Sequence, residues 1–276
     1  MKLTRNILIA LAAATMLIVN SCQKTDQDNY GTLHVSITDD PFPIDLIEEA
    51  NVVITKLEIR LKNDSTVDQF ITLFEETQEF NLLDLRNGTV AELLEREIPV
   101  GSYDLIRLYV DKASLGIKDG GTYEVKVPSG SQTGIKIFID PELSIAGGLT
   151  SDLLLDFNLD KSFVLKGNTK SSSGIKGFNF KPVIRVANKS KSGTIQGMVS
   201  DTSAVAIKSA SVWIMKDTTH ATAYTDSAGF YSIPAIPEGT YSVYSTKEHY
   251  DTVKVDSVEI MAANYTTLDF LLTPEN

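Results

Sequence analysis

Apolar and polar side chains alternate along most of the chain from Gly31 onward. The segments LHVSIT, KLEIRLK, TYEVKV, GIKIFID and LLLDFNLD all place apolar residues at alternate positions. A period of two is typical of antiparallel strands that bury one face and leave the other in water. The pattern therefore predicts an all-β protein.

One segment departs from this pattern. The sequence TVAELLERE (89–97) has the composition of a helix, and Thr89 and Glu92 are spaced for a capping box at its start. We expect a short helix here that connects strands across one end of a sandwich.

A polar interruption divides the chain in two. The segment VANKSKSG (186–193) breaks the alternation with small and polar residues. We predict two antiparallel β-sandwich domains in tandem, residues 31–187 and 194–276, joined by a linker at 188–193. The second domain has about seven short strands in its roughly eighty residues, a spacing typical of sandwiches.

Two nearly identical hexapeptides occur in the two domains, IPVGSY at 98–103 and IPEGTY at 236–241. Proline presets the backbone for a turn, and glycine two residues later accepts a left-handed conformation. We expect a three-residue hairpin loop at each site. Tyr103 and Tyr241 should then bury their rings and bond back to the turn, as in a tyrosine corner. Shared ancestry and convergence on a favourable turn both remain open.

Composition excludes several classes of function. The 276 residues carry a formal net charge of −11, which disfavours binding to nucleic acid or to anionic lipid through charge. The single cysteine, Cys22, rules out an intramolecular disulfide and a thiolate metal cage.

The N-terminal segment has the features of a secretory signal. Lys2 and Arg5 precede an apolar run at 7–19, which is too short to span a membrane comfortably. The sequence VNSC (19–22) then resembles the lipobox of bacterial lipoproteins. That resemblance implies a signal peptide at 1–21, acyl chains on Cys22 and a polar tether at 22–30, in an outer membrane lipoprotein that faces the cell surface or the periplasm. The alternative is a simple secretory signal with an incidental cysteine.

The first domain resembles the family of domain of unknown function 4382. The resemblance rests on VSITDDP, NLLDLRNG, IPVGSYDLIRLYV, VPSGSQTGIKI, LLLDFNLDKSFV and FKPVIR, in that order. It implies extracytoplasmic bacterial lipoproteins and no particular activity.

The second domain resembles the carboxypeptidase regulatory-like family. The resemblance rests on GMVSD, SASVWI, TDSAGFYSI and IPEGTYSVYS. It implies a transthyretin-like β-sandwich that serves as an accessory module without catalytic residues.

Motifs for catalysis or metal binding are missing from the sequence. The three histidines, including His34 on the polar face of its strand, are scattered, and no hydrolase, metalloprotease or phosphate-loop motif occurs. The segment DFNLDKS (156–162) imitates the start of a calcium loop but lacks the glycine and glutamate that an EF-hand requires. We interpret Asp156, Asn158 and Asp160 as the wet face of a strand. A calcium site of another type, with Asp39 or Asp40, is the open alternative. We expect no enzyme, no cofactor and no metal.

Two aromatic residues are the candidate binding surface. If Val212 and Ile214 point into the second domain, Trp213 points out, and Tyr244 does so by the same alternation. Exposed aromatic rings on a sheet suit a partner protein or a sugar. The alternative is that Trp213 packs against the first domain or a neighbouring loop.

Five triplets resemble an O-glycosylation acceptor of Gram-negative envelope proteins. The candidate acceptors are Ser65, Thr218, Ser227, Thr252 and Ser257. Asp-Ser and Asp-Thr pairs are also common turn formers.

These observations favour a lipid-anchored envelope protein with a binding, adhesion or scaffolding role. Its expected partners are the membrane, through Cys22, and an envelope protein or extracellular glycan. A glycan-capture module of a nutrient-uptake system is the alternative, and a hydrolase is a third hypothesis.

Overall fold

The structure, a computed structural model, describes residues 29–40, 46–62, 69–127, 132–167, 174–217 and 219–275, without the side chains of 40, 126, 219 and 220. Cys22, the signal peptide and all but the last two residues of the tether lie outside the described residues. The regular secondary structure of the described chain consists almost entirely of strands, which confirms the predicted all-β class. Among these residues, no helix has the length and apolar character needed to cross a membrane.

The first domain is a sandwich of two sheets. Its four-stranded sheet has the order β12-β9-β1-β5, and its six-stranded sheet has the path β3-β2-β6-β7, with β4 added to β2 and β8 to β6. A separate hairpin, β10-β11, follows the short helix α1. The bounds are β1 Tyr30–Asp40, β2 Ile47–Leu61, β3 Gln69–Phe74, β4 Gln78–Asn81, β5 Ala91–Pro99, β6 Gly101–Ile117, β7 Thr122–Lys126, β8 Ile135–Ile145, β9 Thr150–Asn158, α1 Leu159–Ser162, β10 Phe163–Gly167, β11 Ile175–Phe180 and β12 Ile184–Asn188.

The predicted alternation forms the core of this sandwich. Leu33, Val35 and Ile37 on β1 are fully buried, as are Leu57 and Ile59 on β2. Alternate side chains of a strand point to opposite faces, so the two sheets bring these rows together.

The second domain is a smaller sandwich of two four-stranded sheets. One has the path β16-β13-β19 with β20 also paired to β13, and the other has the order β15-β14-β17-β18. Val212, Ile214 and Val243 are fully buried between them. The bounds are β13 Ser192–Asp201, β14 Ser211–Met215, β15 Thr219–Tyr224, β16 Phe230–Pro237, β17 Gly239–Thr246, β18 Val253–Ile260, β19 Tyr265–Thr267 and β20 Phe270–Leu272.

Each domain also contains parallel pairing, which the sequence pattern does not reveal. Strand β1 pairs antiparallel with β5 and parallel with β9. Strand β13 pairs antiparallel with β16 and parallel with β19 and β20. The first strand of each sandwich therefore has, on one side, a parallel partner that comes much later in the sequence of the same domain.

The predicted helix at 89–97 is wrong, because the segment forms strand β5. Its residues pair with β1 from Tyr30↔Pro99 to Ile37↔Ala91. Thr89 does not cap a helix; its carbonyl accepts a hydrogen bond from Thr38 Oγ1 at 2.8 Å. The intrinsic helix preference of this short segment is overridden by sheet pairing and by burial of Leu93 and Ile98.

The linker predicted at 188–193 is too long. Asn188 still belongs to β12, Ser192 and Gly193 already belong to β13, and a 3₁₀ turn, Lys189–Lys191, lies between them. The Asn188 side chain caps this turn by accepting the Ser190 amide proton at 3.1 Å. The two domains thus follow each other almost without a break.

Candidate binding surfaces

The two hexapeptides build the same corner in the two domains. Tyr103 donates its hydroxyl proton to the Pro99 carbonyl at 2.8 Å, and Tyr241 donates to the Pro237 carbonyl at 2.8 Å. Both rings are buried. These bonds confirm the predicted tyrosine corners. We call residues 29–31, 98–103 and 145–149 the first corner, and residues 191–193, 236–241 and 260–264 the second corner.

The turn within each corner is not the predicted hairpin loop. Strands β5 and β6 belong to different sheets, and so do β16 and β17. The glycines have φ of 154° at Gly101 and 151° at Gly239, outside the left-handed helical region that we expected. Each hexapeptide therefore carries the chain from one sheet of a sandwich to the other, and glycine supplies a backbone conformation that other residues rarely adopt.

The second domain packs on the outer face of the four-stranded sheet of the first domain. Arg185 on β12 donates from Nη1 to the Ala235 carbonyl of β16 at 2.8 Å. The same guanidinium donates from Nε to Asp156 Oδ2 at 3.1 Å, and Leu154, Ala187 and Ala235 form a small buried cluster beside it. This contact extends to a cavity of about 290 Å³ whose lining includes residues of both domains.

The interface corrects the interpretation of Asp156 as part of a wet strand face. Its side chain is only 4% exposed, because the second domain covers that face. Asn158 instead caps α1 by accepting the Lys161 amide proton at 2.8 Å, while Asp160 is exposed. Asp39 Oδ1 accepts the Leu159 amide proton at 3.3 Å. Over the described part of the chain, no group of three or more potential metal ligands occurs.

Trp213 and Tyr244 lie together on the outward face of the second domain, as expected from their alternation. They are cross-strand partners on β14 and β17, and their rings stack with centroids 5.1 Å apart and planes 5° apart. Lys254 on β18 lies over the Tyr244 ring at 5.6 Å, and Thr222 on β15 is the other partner of Trp213. We call Trp213, Tyr244 and Lys254 the aromatic row.

The aromatic row continues into a charged rim. Lys254 Nζ lies 2.8 Å from Asp256 Oδ1, and Ser242 donates to the same oxygen at 2.5 Å. The hydrogen bond with Asp256 raises the pKa of Lys254, and the hydrogen bonds from Lys254 and Ser242 lower the pKa of Asp256. Both groups are therefore fully charged at neutral pH. A half-buried aromatic centre with a charged edge is the composition of many protein interfaces.

A second polar surface lies on the outer face of the six-stranded sheet. Burial alone would raise the pKa of Glu58, but hydrogen bonds from Lys56 and Tyr109 and the charges of Lys56 and Arg107 outweigh it and lower that pKa. Glu58 Oε2 accepts from Tyr109 at 3.0 Å and from Arg107 at 3.3 Å. A depression of about 510 Å³ adjoins this cluster; it is lined by Thr55, Lys56, Glu75, Glu76, Thr77, Tyr109 and Gln132.

The remaining sequence candidates do not converge on a site. His34 is half-buried rather than freely solvated, with Nδ1 2.8 Å from Asp152 Oδ1. Ser227, Thr252 and Ser257 are exposed in the second domain. Ser65 and Thr218 lie outside the described residues.

Sequence reasoning missed both the Glu58 cluster and the Arg185 contact. The sequence offers the alternation of Lys56, Glu58 and Arg60 on β2 as a signal for the first. No local pattern identifies Arg185, because its partner Ala235 contributes a main-chain carbonyl.

The protein is thus a pair of β-sandwiches with surface clusters suited to binding. Comparison with family models gives two matches: the domain of unknown function DUF4382 at residues 30–182 and the carboxypeptidase regulatory-like domain at residues 194–273. The chain belongs to the DUF4382 family. Both resemblances inferred from the sequence are confirmed. No curated protein matches the chain.

Several solved structures are similar to the chain. A cohesin–X-dockerin complex from Acetivibrio cellulolyticus has a chain 26% identical over 29% of this chain; the match spans 56% of that chain with a TM-score of 0.25. A minor pilin of Streptococcus agalactiae is 10% identical, with 88% and 96% of the two chains covered and a TM-score of 0.25. A shaft pilin of Lactobacillus rhamnosus GG is 10% identical, with 90% and 98% covered and a TM-score of 0.26. No functional argument rests on TM-scores of this size.

Proposed function

We propose that this protein is a lipid-anchored binding or scaffolding protein of the bacterial envelope, without catalytic activity, and that the aromatic row contacts a protein partner. The observation that carries the proposal is the stacked pair of Trp213 and Tyr244 on the outward face of the second domain. Tryptophan and tyrosine dominate the energetics of protein interfaces when their rings are desolvated by a partner.

The ring geometry favours a protein over a sugar at this surface. Tyr244 has Trp213 on one side and Lys254 on the other, since its strand lies between theirs in the sheet. A sugar ring stacks on a free aromatic face, whereas a protein side chain also packs against ring edges. The charged pair of Lys254 and Asp256 at the rim gives such a partner specificity rather than large affinity.

Crosslinking in living cells tests this role. We expect crosslinking, recovery of the tagged lipoprotein and mass spectrometry to identify one stoichiometric envelope protein. Trp213→Ala should reduce its recovery at least tenfold, whereas Met198→Ser, at a residue of β13 that is 41% exposed, should leave it unchanged. If Trp213→Ala leaves all binding intact and only lowers the thermal midpoint, the pair is structural and the proposal fails.

The anchor requires its own test. We propose that acyl chains on Cys22 hold the protein in the outer membrane, facing the cell surface, and the lipobox-like sequence at 19–22 supports the anchor. We expect metabolic labelling with an alkynyl fatty acid to mark the wild-type protein and not Cys22→Ser. Equal labelling of the two would overturn the anchor. Intact-mass analysis of the same material checks the O-glycosylation proposed at the five candidate residues, since added hexoses would be resolved.

Glycan capture is the second candidate, favoured by the depression beside Tyr109. Hydroxyl, carboxylate and amide side chains with one aromatic ring form a lining that can exchange hydrogen bonds with a sugar. Glycan arrays probed with the full chain should give a hit that Gln132→Ala weakens and Trp213→Ala does not. Absence of any hit removes this candidate.

A further inference from the structure

Three exposed apolar side chains lie together at the first corner. Tyr30, Val100 and Leu149 are 47%, 39% and 62% exposed. Main-chain hydrogen bonds join the segments that carry them: the Val100 amide donates to the Asn29 carbonyl at 3.0 Å, and the Gly148 amide donates to the Tyr30 carbonyl at 2.9 Å. The three exposed residues therefore lie on adjoining segments of the first corner, and we call Tyr30, Val100 and Leu149 the apolar tip.

The three segments that carry the apolar tip have no charged residue of their own, although Asp28 directly precedes the first of them. The segments 29–31, 99–102 and 146–150 contain no charged residue, in a chain with a net charge of −11. Ser192, Glu238 and Asn264 occupy the equivalent positions of the second corner. The shared corner geometry therefore does not require apolar residues at these positions.

The apolar tip lies where the chain leads back to Cys22. Asn29 is the first described residue and stands seven positions after Cys22. A chain of that length spans at most roughly 25 Å when fully extended. A lipid on Cys22 would therefore hold the first corner close to the bilayer, whereas β9 runs from this corner toward α1 and β10 at the opposite end of the sandwich.

We propose that the apolar tip is a membrane-contacting surface, and that Tyr30, Val100 and Leu149 enter the interfacial region of the bilayer that holds the lipid of Cys22. This inference rests on the proposed lipid anchor. An uncharged tip avoids the repulsion that an acidic protein experiences at anionic lipid. Tyrosine suits the interface because its ring is apolar and its hydroxyl stays hydrated. The anchor raises the local concentration of the tip, so a small apolar area suffices.

Depth-dependent quenching tests the contact in the full-length lipidated protein. The lipidated chain has no free thiol, because its one cysteine carries the lipid, so Leu149→Cys introduces a unique labelling site. Val164→Cys is the matched control, since Val164 is an apolar residue 53% exposed on β10 at the opposite end. Both variants would carry an environment-sensitive fluorophore in vesicles of phosphatidylethanolamine and phosphatidylglycerol with spin-labelled acyl chains.

We expect at least threefold stronger quenching at position 149 than at position 164. Equal and weak quenching at the two positions in acylated protein would overturn the membrane contact and leave the anchor intact. An intact mass without acyl chains would overturn the anchor and this inference together. As a second measurement, Leu149→Glu should increase the release of the lipidated protein from vesicles, whereas Val164→Glu should not.

Discussion

The two corners of this protein share a framework and differ on their surfaces. In each, the second residue of the first strand is a glycine that lies against the loop before the parallel partner. The Thr32 amide donates to the Leu149 carbonyl, and the Thr194 amide donates to the Asn264 carbonyl, both at 2.9 Å. A Cβ on Gly31 would lie 2.8 Å from Ile145 Cγ2, and one on Gly193 would lie 2.9 Å from Ile260 Cγ2. The repeated hexapeptide is therefore one part of a larger repeated structure.

The difference between the corners identifies which residues are free to serve a function. Glycine, proline and tyrosine occupy the same places in both, because the backbone and one hydrogen bond require them. The side chains at equivalent positions do not repeat: Tyr30, Val100 and Leu149 are apolar, whereas Ser192, Glu238 and Asn264 are polar. The second corner has its own exposed apolar residue, Met261, and lies beside the first domain. The two corners therefore differ in the composition of their surfaces and not in the turn.

Removing Arg185, which binds the chain just before the second corner, should cause the largest loss of stability. Arg185→Met leaves Asp156 buried without its charge partner, which costs about 3–5 kcal/mol of unfolding free energy. Burial raises the pKa of Tyr241 and the positive charge of Arg185 opposes that rise, whereas burial raises the pKa of Tyr103 to about 12. Loss of Arg185 should therefore bring the pKa of Tyr241 closer to that of Tyr103. Urea denaturation and ultraviolet titration of the tyrosines measure the two effects.

Two controls sharpen this prediction. The double variant Arg185→Met/Asp156→Leu should recover most of the loss, because no unpaired charge remains. Lys62→Met removes the exposed pair with Glu142, 2.6 Å apart, and should leave stability nearly unchanged. Wild-type stability of Arg185→Met would show that the interface does not depend on this contact.

Alanine at the two corner glycines should destabilise the two domains similarly. Gly31→Ala and Gly193→Ala each force a Cβ against main chain and an isoleucine, which costs about 2–3 kcal/mol. Trp213 is the single tryptophan, so its fluorescence reports on the second domain, while circular dichroism reports on both. Gly121→Ala meets nothing within 4 Å and should be neutral. A large loss of stability in only one of the two variants would show that the corners are not equivalent.

Replacing either corner tyrosine by phenylalanine should cause a smaller loss of stability, and the loss should be the same at the two corners. Tyr103→Phe and Tyr241→Phe each remove one hydrogen bond to a carbonyl, worth about 1 kcal/mol. Tyr265→Phe, at a residue 72% exposed, is the control and should be silent. Thermal denaturation measures all three, and a loss confined to Tyr103→Phe would mean that the second corner is held by other contacts.

The smallest effect concerns Glu58, a buried carboxylate; Asp256, which also has a lowered pKa in the second domain, is exposed. The folded-state pKa of Glu58 is lowered below its usual value of 4.5, so its contribution to stability is complete above that value and is lost as the pH falls through the lower one. The first domain should therefore lose stability as the pH falls below 4.5 and through the lowered pKa of Glu58, and Glu58→Gln should flatten this dependence. Acid titration followed by circular dichroism and by Trp213 fluorescence separates the domains. Equal acid sensitivity of both signals would contradict the assignment.

Local patterns in the sequence predicted much of the fold. Alternation identified the buried face of β1 and the outward direction of Trp213, since both depend only on the period of a strand. The hexapeptides predicted the bonds of Tyr103 and Tyr241, because a tyrosine four residues after a proline carbonyl reaches it within one turn.

The same reasoning failed where the structure depends on contacts between residues far apart in the sequence. Asp156 appeared wet because alternation cannot show that another domain covers its face. The segment 89–97 looked helical because its pairing with β1 depends on residues far away in the chain. The stacking of Trp213 on Tyr244 required the register of β14 and β17, which no local pattern contains.

The parallel pairing of β1 has a consequence for the order in which the chain can fold. His34 on β1 and Asp152 on β9 are 118 residues apart, whereas Met198 and Asp269 across the second sandwich are 71 residues apart. Closing longer loops costs more entropy before any contact compensates for it, so high contact order slows folding. During synthesis, β1 must therefore wait for most of its domain to emerge before its parallel partner is available. The first strand of the chain is thus among the last to become native.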